Sequence, residues 1–400
     1  MKSGLPKPLH EIHSRPMLEY LINAVNASGV KKIVLVLGHG ADEVKKAFNE
    51  LDTVVQSKPL GSGDAVNCTK KYFSDYSGDI MVLYSDTPLL KRGTLSKLIK
   101  THRKGNFGGT LLTVKETNPI GYGRIVRDDE EGIIKIVEDK DATLYEQVIE
   151  EINVGAYVFK KDILFPSLDK IKMNTRKKEY YLTDIVGILN KSNVKIGSLL
   201  TDDLSESIGI NSREEIAKAN DMVRKRVLSY FMARGVTIVD RKSTHIDFEA
   251  KIGKDTIVYP NTIIEKQVEI GNNSKIGPFA HIRPGTKIGS NVEVGNFVEL
   301  VRTKVGNGSK IKHKTYLGDT VLGKNVNVGA GTITANYDGK NKTQTVVGDN
   351  AFIGVGSILI APVRIGKNAV IGAGSVVPKK HDVPDGATVM GVPARIYKKA

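Results

Sequence analysis

From residue 246 onward the hydrophobic positions keep one register. An aliphatic residue returns every sixth place, at Ile246, Ile252, Val258, Ile264, Ile270, Ile276, Ile282, Ile288, Val294 and Leu300. After one-residue slips the series passes through Val305, Ile311, Leu317, Leu322 and Val328, and it resumes from Val347 to Val389. Neither the helical period of 3.6 nor the strand period of 2.0 repeats every six residues over such a span. A coil with three short flat faces does, with one aliphatic per face turned inward and small residues such as Gly271 and Gly289 near the corners. The pattern predicts a parallel β-helix of hexapeptide repeats. Its coils would hold about 18 residues each and stack about 4.8 Å apart.

The first half carries a different pattern. The apolar runs IVLVLG (33–38), IMVLYSD (80–86), TLLTVK (110–115) and INVGAYVF (152–159) alternate with amphipathic stretches such as MLEYLINAVNAS and YLTDIVGILNKS. That alternation predicts an α/β layer fold with a largely parallel sheet. Ser212 and Glu215 form a capping-box pattern at the head of a helix that runs to about Ala233, where Gly235 can end it. The expected organisation is an α/β domain over 1–215, a linker helix over 216–240 and the β-helix over 241–400.

Composition narrows the function classes. In 400 residues there are 59 Lys+Arg against 44 Asp+Glu, a net charge of +15, so anionic partners are expected. Aromatic residues make up 6% and no nucleic-acid module is recognisable, which argues against base stacking and a nucleic-acid partner. The lone Cys68 excludes an internal disulfide and points to a reducing, cytoplasmic location. The N-terminus lacks an apolar export signal and no apolar run is long enough to span a bilayer, so no membrane association is expected.

Two places carry candidate chemistry. Asp86 ends an apolar run, where open α/β sheets bind ligands, although a strand-ending Asp also serves as a cap. Between Val328 and Val347 the six-residue register breaks for the polar stretch GAGTITANYDGKNKTQTV. A solenoid gains no core from such an insertion, so a binding loop is favoured. His313 lies on the preceding coil. On a β-helix it could be an ordinary surface histidine or a near-neutral base.

The segments LPKPLHEI, LGSGDAV, LYSDTPLL, GYGRIVR, VEDKDAT, EINVGAYVF, EYYLTDI and GIN, followed by HIRPG, HKTYLGD and NVGAGTITANYDGKNK, appear in that order. Together they closely resemble the bifunctional N-acetylglucosamine-1-phosphate uridyltransferase/glucosamine-1-phosphate acetyltransferase family over essentially the whole chain. The resemblance implies a Rossmann-like nucleotidyltransferase domain followed by a left-handed β-helix, assembled as a homotrimer. It implies acetyl transfer from acetyl-CoA to glucosamine-1-phosphate, then Mg²⁺-dependent uridylyl transfer from UTP, giving UDP-N-acetylglucosamine. By the same resemblance His313 is the catalytic base, and Arg283, Tyr316, Asn327, Asn336, Tyr337 and Lys342 bind the sugar phosphate. Ala330 and Ala373 line the acetyl-CoA groove. Lys7, Gln56, Gly61, Ser62, Tyr84, Gly123, Glu138 and Asn153 bind UTP and the nucleotide sugar, and Asp86 and Asn211 hold the metal.

The chain also departs from the family. It opens at Met1-Lys2-Ser3-Gly4, past the strand and glycine-rich turn with which the family begins, so either the sequence starts late or impaired uridylyl transfer is expected. Val301 stands where the family has a lysine near the sugar phosphate, with Arg302 adjacent, and Val355 stands where it has a serine. Two rival readings follow: a monofunctional hexapeptide acetyltransferase, and another sugar-1-phosphate nucleotidyltransferase whose β-helix only assembles it.

Overall fold

Both faces of the first unit's sheet are covered. Leu111 and Leu112 point to opposite sides of one strand, Tyr157 and Val158 to opposite sides of another, and all four are buried. In the computed structural model, which describes residues 1–397, the chain divides into two units, Met1–Asp221 and a second beginning at Met222. In the first, neighbouring strands run in the order Ile196–Thr201, Gly109–Lys115, Glu151–Lys160, Arg124–Arg127, Ile133–Val137, and Asp79–Leu83 pairs with the distal half of Glu151–Lys160.

This sheet is mixed, which corrects the expectation of a largely parallel one. Ile196–Thr201 is parallel to Gly109–Lys115, but Glu151–Lys160 is antiparallel to each of its neighbours. The physical reason lies in the connections. Between residues 109 and 160 the strands are joined by turns, a 3₁₀ turn and the short helix Leu144–Gln147. The long crossover helix that parallel neighbours need is lacking there.

A second, two-stranded parallel sheet joins Val34–Leu37 to Asp52–Val55, and Leu18, Ile22, Val44 and Phe48 pack with its Leu35 and Leu37. Val34–Leu37 and Asp79–Leu83 each pair along one edge only among the described residues. Both strands line one cavity of about 1970 Å³.

The second unit winds as a left-handed parallel β-helix. Ile257 pairs with Lys275, Lys275 with Glu293, Glu293 with Lys310, and Lys310 with Asn327. The predicted inward aliphatics fill its axis: Ile246, Val258, Ile276, Ile282 and Leu300 are fully buried. Two residues before Ile246, Val258 and Ile276 lies a buried small hydroxyl residue, Thr244, Thr256 and Ser274. The Thr256 and Ser274 hydroxyls donate to the carbonyls of Gly271 (2.8 Å) and Gly289 (3.1 Å) on the next coil, so the corner carbonyls are satisfied inside. Corners turn through left-handed residues stacked in columns, including Asn261, Phe279 and Phe297 on one and Gln267, Gly285, Arg302 and Asp319 on another.

Both ends of the solenoid are closed. At the last coil Ala394–Ile396 folds back antiparallel on Thr388–Gly391. At the first, Val227, Leu228 and Phe231 of the helix Arg213–Met232 are buried, Tyr230 packs against Phe248, and Arg241 bonds Ser229. The head of that helix carries the predicted box: Glu215 N donates to Ser212 Oγ (3.2 Å) and Ser212 N to Glu215 Oε2 (2.7 Å). Among the described residues no helix is long and apolar enough to cross a membrane.

Candidate active sites

In the first unit three residues distant in sequence meet at one point. The Lys7 ammonium, in the 3₁₀ turn Lys7–Leu9, donates to Asp86 Oδ2 at 2.7 Å and to Asn211 Oδ1 at 2.6 Å. Asp86 follows the strand Asp79–Leu83, and its carbonyl accepts from Ile210 N (2.8 Å), which brings the Asn211 turn alongside. A carboxylate and a carboxamide oxygen thus converge on a single cation position. That hard-oxygen donor set suits Mg²⁺, which keeps several waters and takes its remaining ligands from substrate phosphates. Clusters of three or more His, Cys, Asp or Glu able to hold a metal are absent among the described residues.

Ser62, Tyr84, Asp86, Glu138 and Asn211 line the same large cavity. Gly61 takes φ +99°, and a Cβ on it would lie 2.6 Å from the Tyr180 carbonyl oxygen, so only glycine fits that turn. Gln56 Nε2 ties the turn down through the Gly61 carbonyl (3.1 Å) and Asp64 Oδ2 (2.7 Å), while Ser62 Oγ accepts from Leu182 N (3.0 Å). Tyr84 is packed against Gly155, and burial raises the pKa of its phenol. Asn153 N donates to the Gly123 carbonyl (2.8 Å), and its amide donates to the buried Tyr157 hydroxyl (2.6 Å). Gly123 and Asn153 are therefore neighbours, but they do not line the cavity.

Sequence reasoning passed over the supports of this wall. Glu138 accepts from Thr183 Oγ1 (2.8 Å), and the adjacent Asp139 pairs with the buried Arg124 guanidinium at 2.9 Å. Arg124 was visible only as one basic residue in GYGRIVR.

In the second unit His313 stands on the strand Lys310–Gly318, exposed at a corner, in register with Asn296 one coil earlier. Its Nδ1 lies 2.8 Å from Asn296 Oδ1. With that oxygen accepting, the ring proton sits on Nδ1 and Nε2 keeps its lone pair. One coil further on, Gly331 N donates to the Lys314 carbonyl (2.8 Å), which places Ala330 beside His313. The same column continues through Val355 and Ala373, since Gly356 N bonds Ala330 O and Gly374 N bonds Val355 O. The proposed acyl-donor residues therefore run away from His313 in a line.

The sugar-phosphate candidates gather on the face beyond the corner. Tyr316 pairs with Glu299, whose Oε1 is 3.0 Å from Arg283 Nη1. Tyr316 and Asn336 converge over Gly318: a Cβ there would lie 2.7 Å from the Tyr316 hydroxyl and 2.6 Å from Asn336 Nδ2. The inserted loop returns on itself through a Tyr337–Lys342 bridge, and the Tyr337 hydroxyl donates to the Gly339 carbonyl (2.6 Å). Asn327 stands apart. It pairs with Lys310 on the neighbouring face and is not brought to the Tyr316 group. Val301 is buried, so no cation stands at that position, whereas Arg302 projects from the next corner.

The chain is 42% identical to the bifunctional protein GlmU of Shouchella clausii over 400 residues, covering 92% of this chain and 88% of that one. This chain belongs to the GlmU family of bifunctional proteins. GlmU of Clostridioides difficile is 39% identical, covering all of this chain and 94% of its own, and GlmU of Fervidobacterium nodosum is 42% identical, covering all of this chain and 93% of its own. Within the GlmU frame, the Nucleotidyl transferase family matches residues 2–203, and the Bacterial transferase hexapeptide family matches 249–282, 267–302 and 344–379. Lys7 and Asp86 fall within the first match, whereas His313, Tyr316 and the inserted loop to Lys342 lie in the interval between the matched hexapeptide segments.

Proposed function

We propose that this GlmU-family chain makes UDP-N-acetylglucosamine by acetyl transfer in the β-helix and uridylyl transfer in the first unit. The observation that carries the acetyl step is His313, held by Asn296 with Nε2 free, at the head of the Ala330–Val355–Ala373 column. In that step the amine of glucosamine-1-phosphate attacks the thioester carbon of acetyl-CoA. His313 Nε2 takes the proton released as the C–N bond forms, the C–S bond breaks, and coenzyme A leaves as the thiolate. Tyr316 and Asn336 hold the sugar over Gly318. Arg283 and Lys342 bind its phosphate, for which a guanidinium fork and an ammonium are both suited.

The Tyr316 group and Asn327 occupy neighbouring faces of one chain. We propose that the active form is a homotrimer, in which a second copy supplies what one chain does not gather. Cyclic assembly of triangular prisms closes such sites naturally.

In the first unit a phosphate oxygen of N-acetylglucosamine-1-phosphate attacks the α-phosphorus of UTP and pyrophosphate leaves. Lys7 supplies positive charge to the phosphates, while Ser62, Tyr84 and Glu138 line the cavity that would take nucleotide and sugar. Asp86 and Asn211 would hold Mg²⁺, which when bound neutralises phosphate charge. We propose a cytoplasmic location, in keeping with the use of a single cysteine in 400 residues. The test is coenzyme A release with glucosamine-1-phosphate and pyrophosphate release with UTP, alongside light scattering. A stable monomer that turns over both substrates would remove the trimer.

A further inference from the structure

Asp319 occupies a corner of the β-helix at φ +48°, directly after the Gly318 position over which Tyr316 and Asn336 converge. It is the meeting point of several bonds. Its Oδ2 accepts from Asn336 Nδ2 at 2.6 Å, and its two oxygens take the Arg302 fork at 2.6 and 2.8 Å. Its backbone carbonyl accepts from Thr345 N (3.2 Å), where the inserted loop rejoins the coil. Asn336, where that loop leaves, is buried, and its carbonyl accepts from Thr343 N (2.8 Å). Both ends of the loop are thus tied to one residue. Arg302 and Lys342 both act to keep its carboxyl below the ordinary aspartate range, the Arg302 bond most strongly.

We infer that Asp319 is a positioning residue for acetyl transfer: charged by pairing with Arg302, it clamps the 336–345 loop and sets Asn336 and Lys342 against the sugar phosphate. The inference rests on the acetyl-transfer reading above. A carboxylate acceptor holds an amide donor more strongly than a neutral one, because a charge-assisted bond is shorter and about twice as strong. A cation alone, such as Arg302 free of Asp319, would bind phosphate without fixing the loop.

The test uses Asp319→Asn, which suits a left-handed corner and keeps an acceptor for Asn336 while removing the charge. Two readouts are taken on the whole 400-residue chain. The first is the rate of trypsin cleavage after Lys340 and Lys342, both within the loop. The second is steady-state coenzyme A release. Cleavage is expected to rise several-fold. The kcat/KM for glucosamine-1-phosphate should fall by roughly five- to tenfold, the difference between a charged and a neutral hydrogen bond, with KM for acetyl-CoA unchanged. In an Asn336→Ala background the same substitution should cost the reaction little further, since its effect passes through Asn336. Arg302→Gln should shift both readouts in the same direction, which covers the case in which Asp319→Asn folds poorly.

An unchanged cleavage rate, an unchanged kcat/KM, or full additivity with Asn336→Ala would each overturn the inference. Absence of coenzyme A release from the unsubstituted protein would instead overturn the acetyl-transfer reading, and the cleavage rates would still decide whether Asp319 clamps the loop.

Discussion

Replacing His313 by alanine, and separately replacing Asn296, separates a base from the group that orients it. A positioned general base contributes about 10²- to 10⁴-fold, so His313→Ala should lower kcat for acetyl transfer by that order. Asn296 acts only through its bond to Nδ1, at 2.8 Å and on a solvent-facing corner. A neutral hydrogen bond of this kind contributes about 0.5–1.5 kcal/mol net, which converts to a loss of about two- to twelvefold in kcat for Asn296→Ala. The His313–Asn296 bond is separate from the Arg283–Glu299 and Asn336–Asp319 bonds, so KM for glucosamine-1-phosphate should hold in both variants. In the double variant the Asn296 effect should vanish, because there is no imidazole left to orient. The assay is continuous detection of the coenzyme A thiol at saturating acetyl-CoA, with oligomeric state checked in parallel. If His313→Ala keeps near-original kcat, histidine is not the base. If the Asn296 loss persists at full size without His313, its role is elsewhere.

Further expectations concern binding and stability. Arg283→Ala should raise KM for the sugar phosphate with little change in kcat, as for a group that grips ground and transition state alike; a selective loss of kcat in steady-state assays would refute this. Gly61→Ala would meet the Tyr180 backbone at 2.6 Å at a positive φ, so a scanning melt should show the first unit destabilised, by about 1–3 kcal/mol. An unchanged melting temperature would show that the turn can move. Asp203 is raised by burial, but hydrogen bonds from Lys91 and Ser205 outweigh this and hold it at about 2. A depressed carboxyl stabilises above its unfolded value and loses that contribution as pH falls through the folded one. Acid melts should therefore steepen between about pH 4 and 2, and Asp203→Asn should flatten that limb.

The solenoid was legible because each coil repeats one physical demand, an aliphatic turned inward every six residues. The contacts around its candidate site were not. Asn296–His313, Arg302–Asp319 and Asp319–Asn336 are each 17 residues apart, a spacing that becomes contact only once the one-residue slips in the repeat are placed on coils. The positions of the strands in the first unit were equally plain from runs such as TLLTVK and INVGAYVF. Their directions were not, since direction is set by whether a crossover helix intervenes. Lys7, Asp86 and Asn211 lie as much as 204 residues apart and meet only in the fold; the end of an apolar run marked Asp86 alone, and Lys7 and Asn211 came only from the family resemblance. Asp319 was left out altogether, because an aspartate in a turn carries no signal beyond the turn.

The closed ends of the β-helix bear on how copies of the chain can meet. A parallel solenoid that finished on a bare coil would offer a full row of unpaired amides and carbonyls, onto which the first coil of another copy could continue the winding without limit. Here Ala394–Ile396 reverses direction across the last coil, and Tyr230, from the end of the helix Arg213–Met232, packs on Phe248 beside the first. The reversed strand presents the wrong polarity for another parallel turn. Head-to-tail growth into a filament is thereby blocked at both poles, which is what the trimer proposed above requires, since a cyclic assembly would have to use the lateral faces.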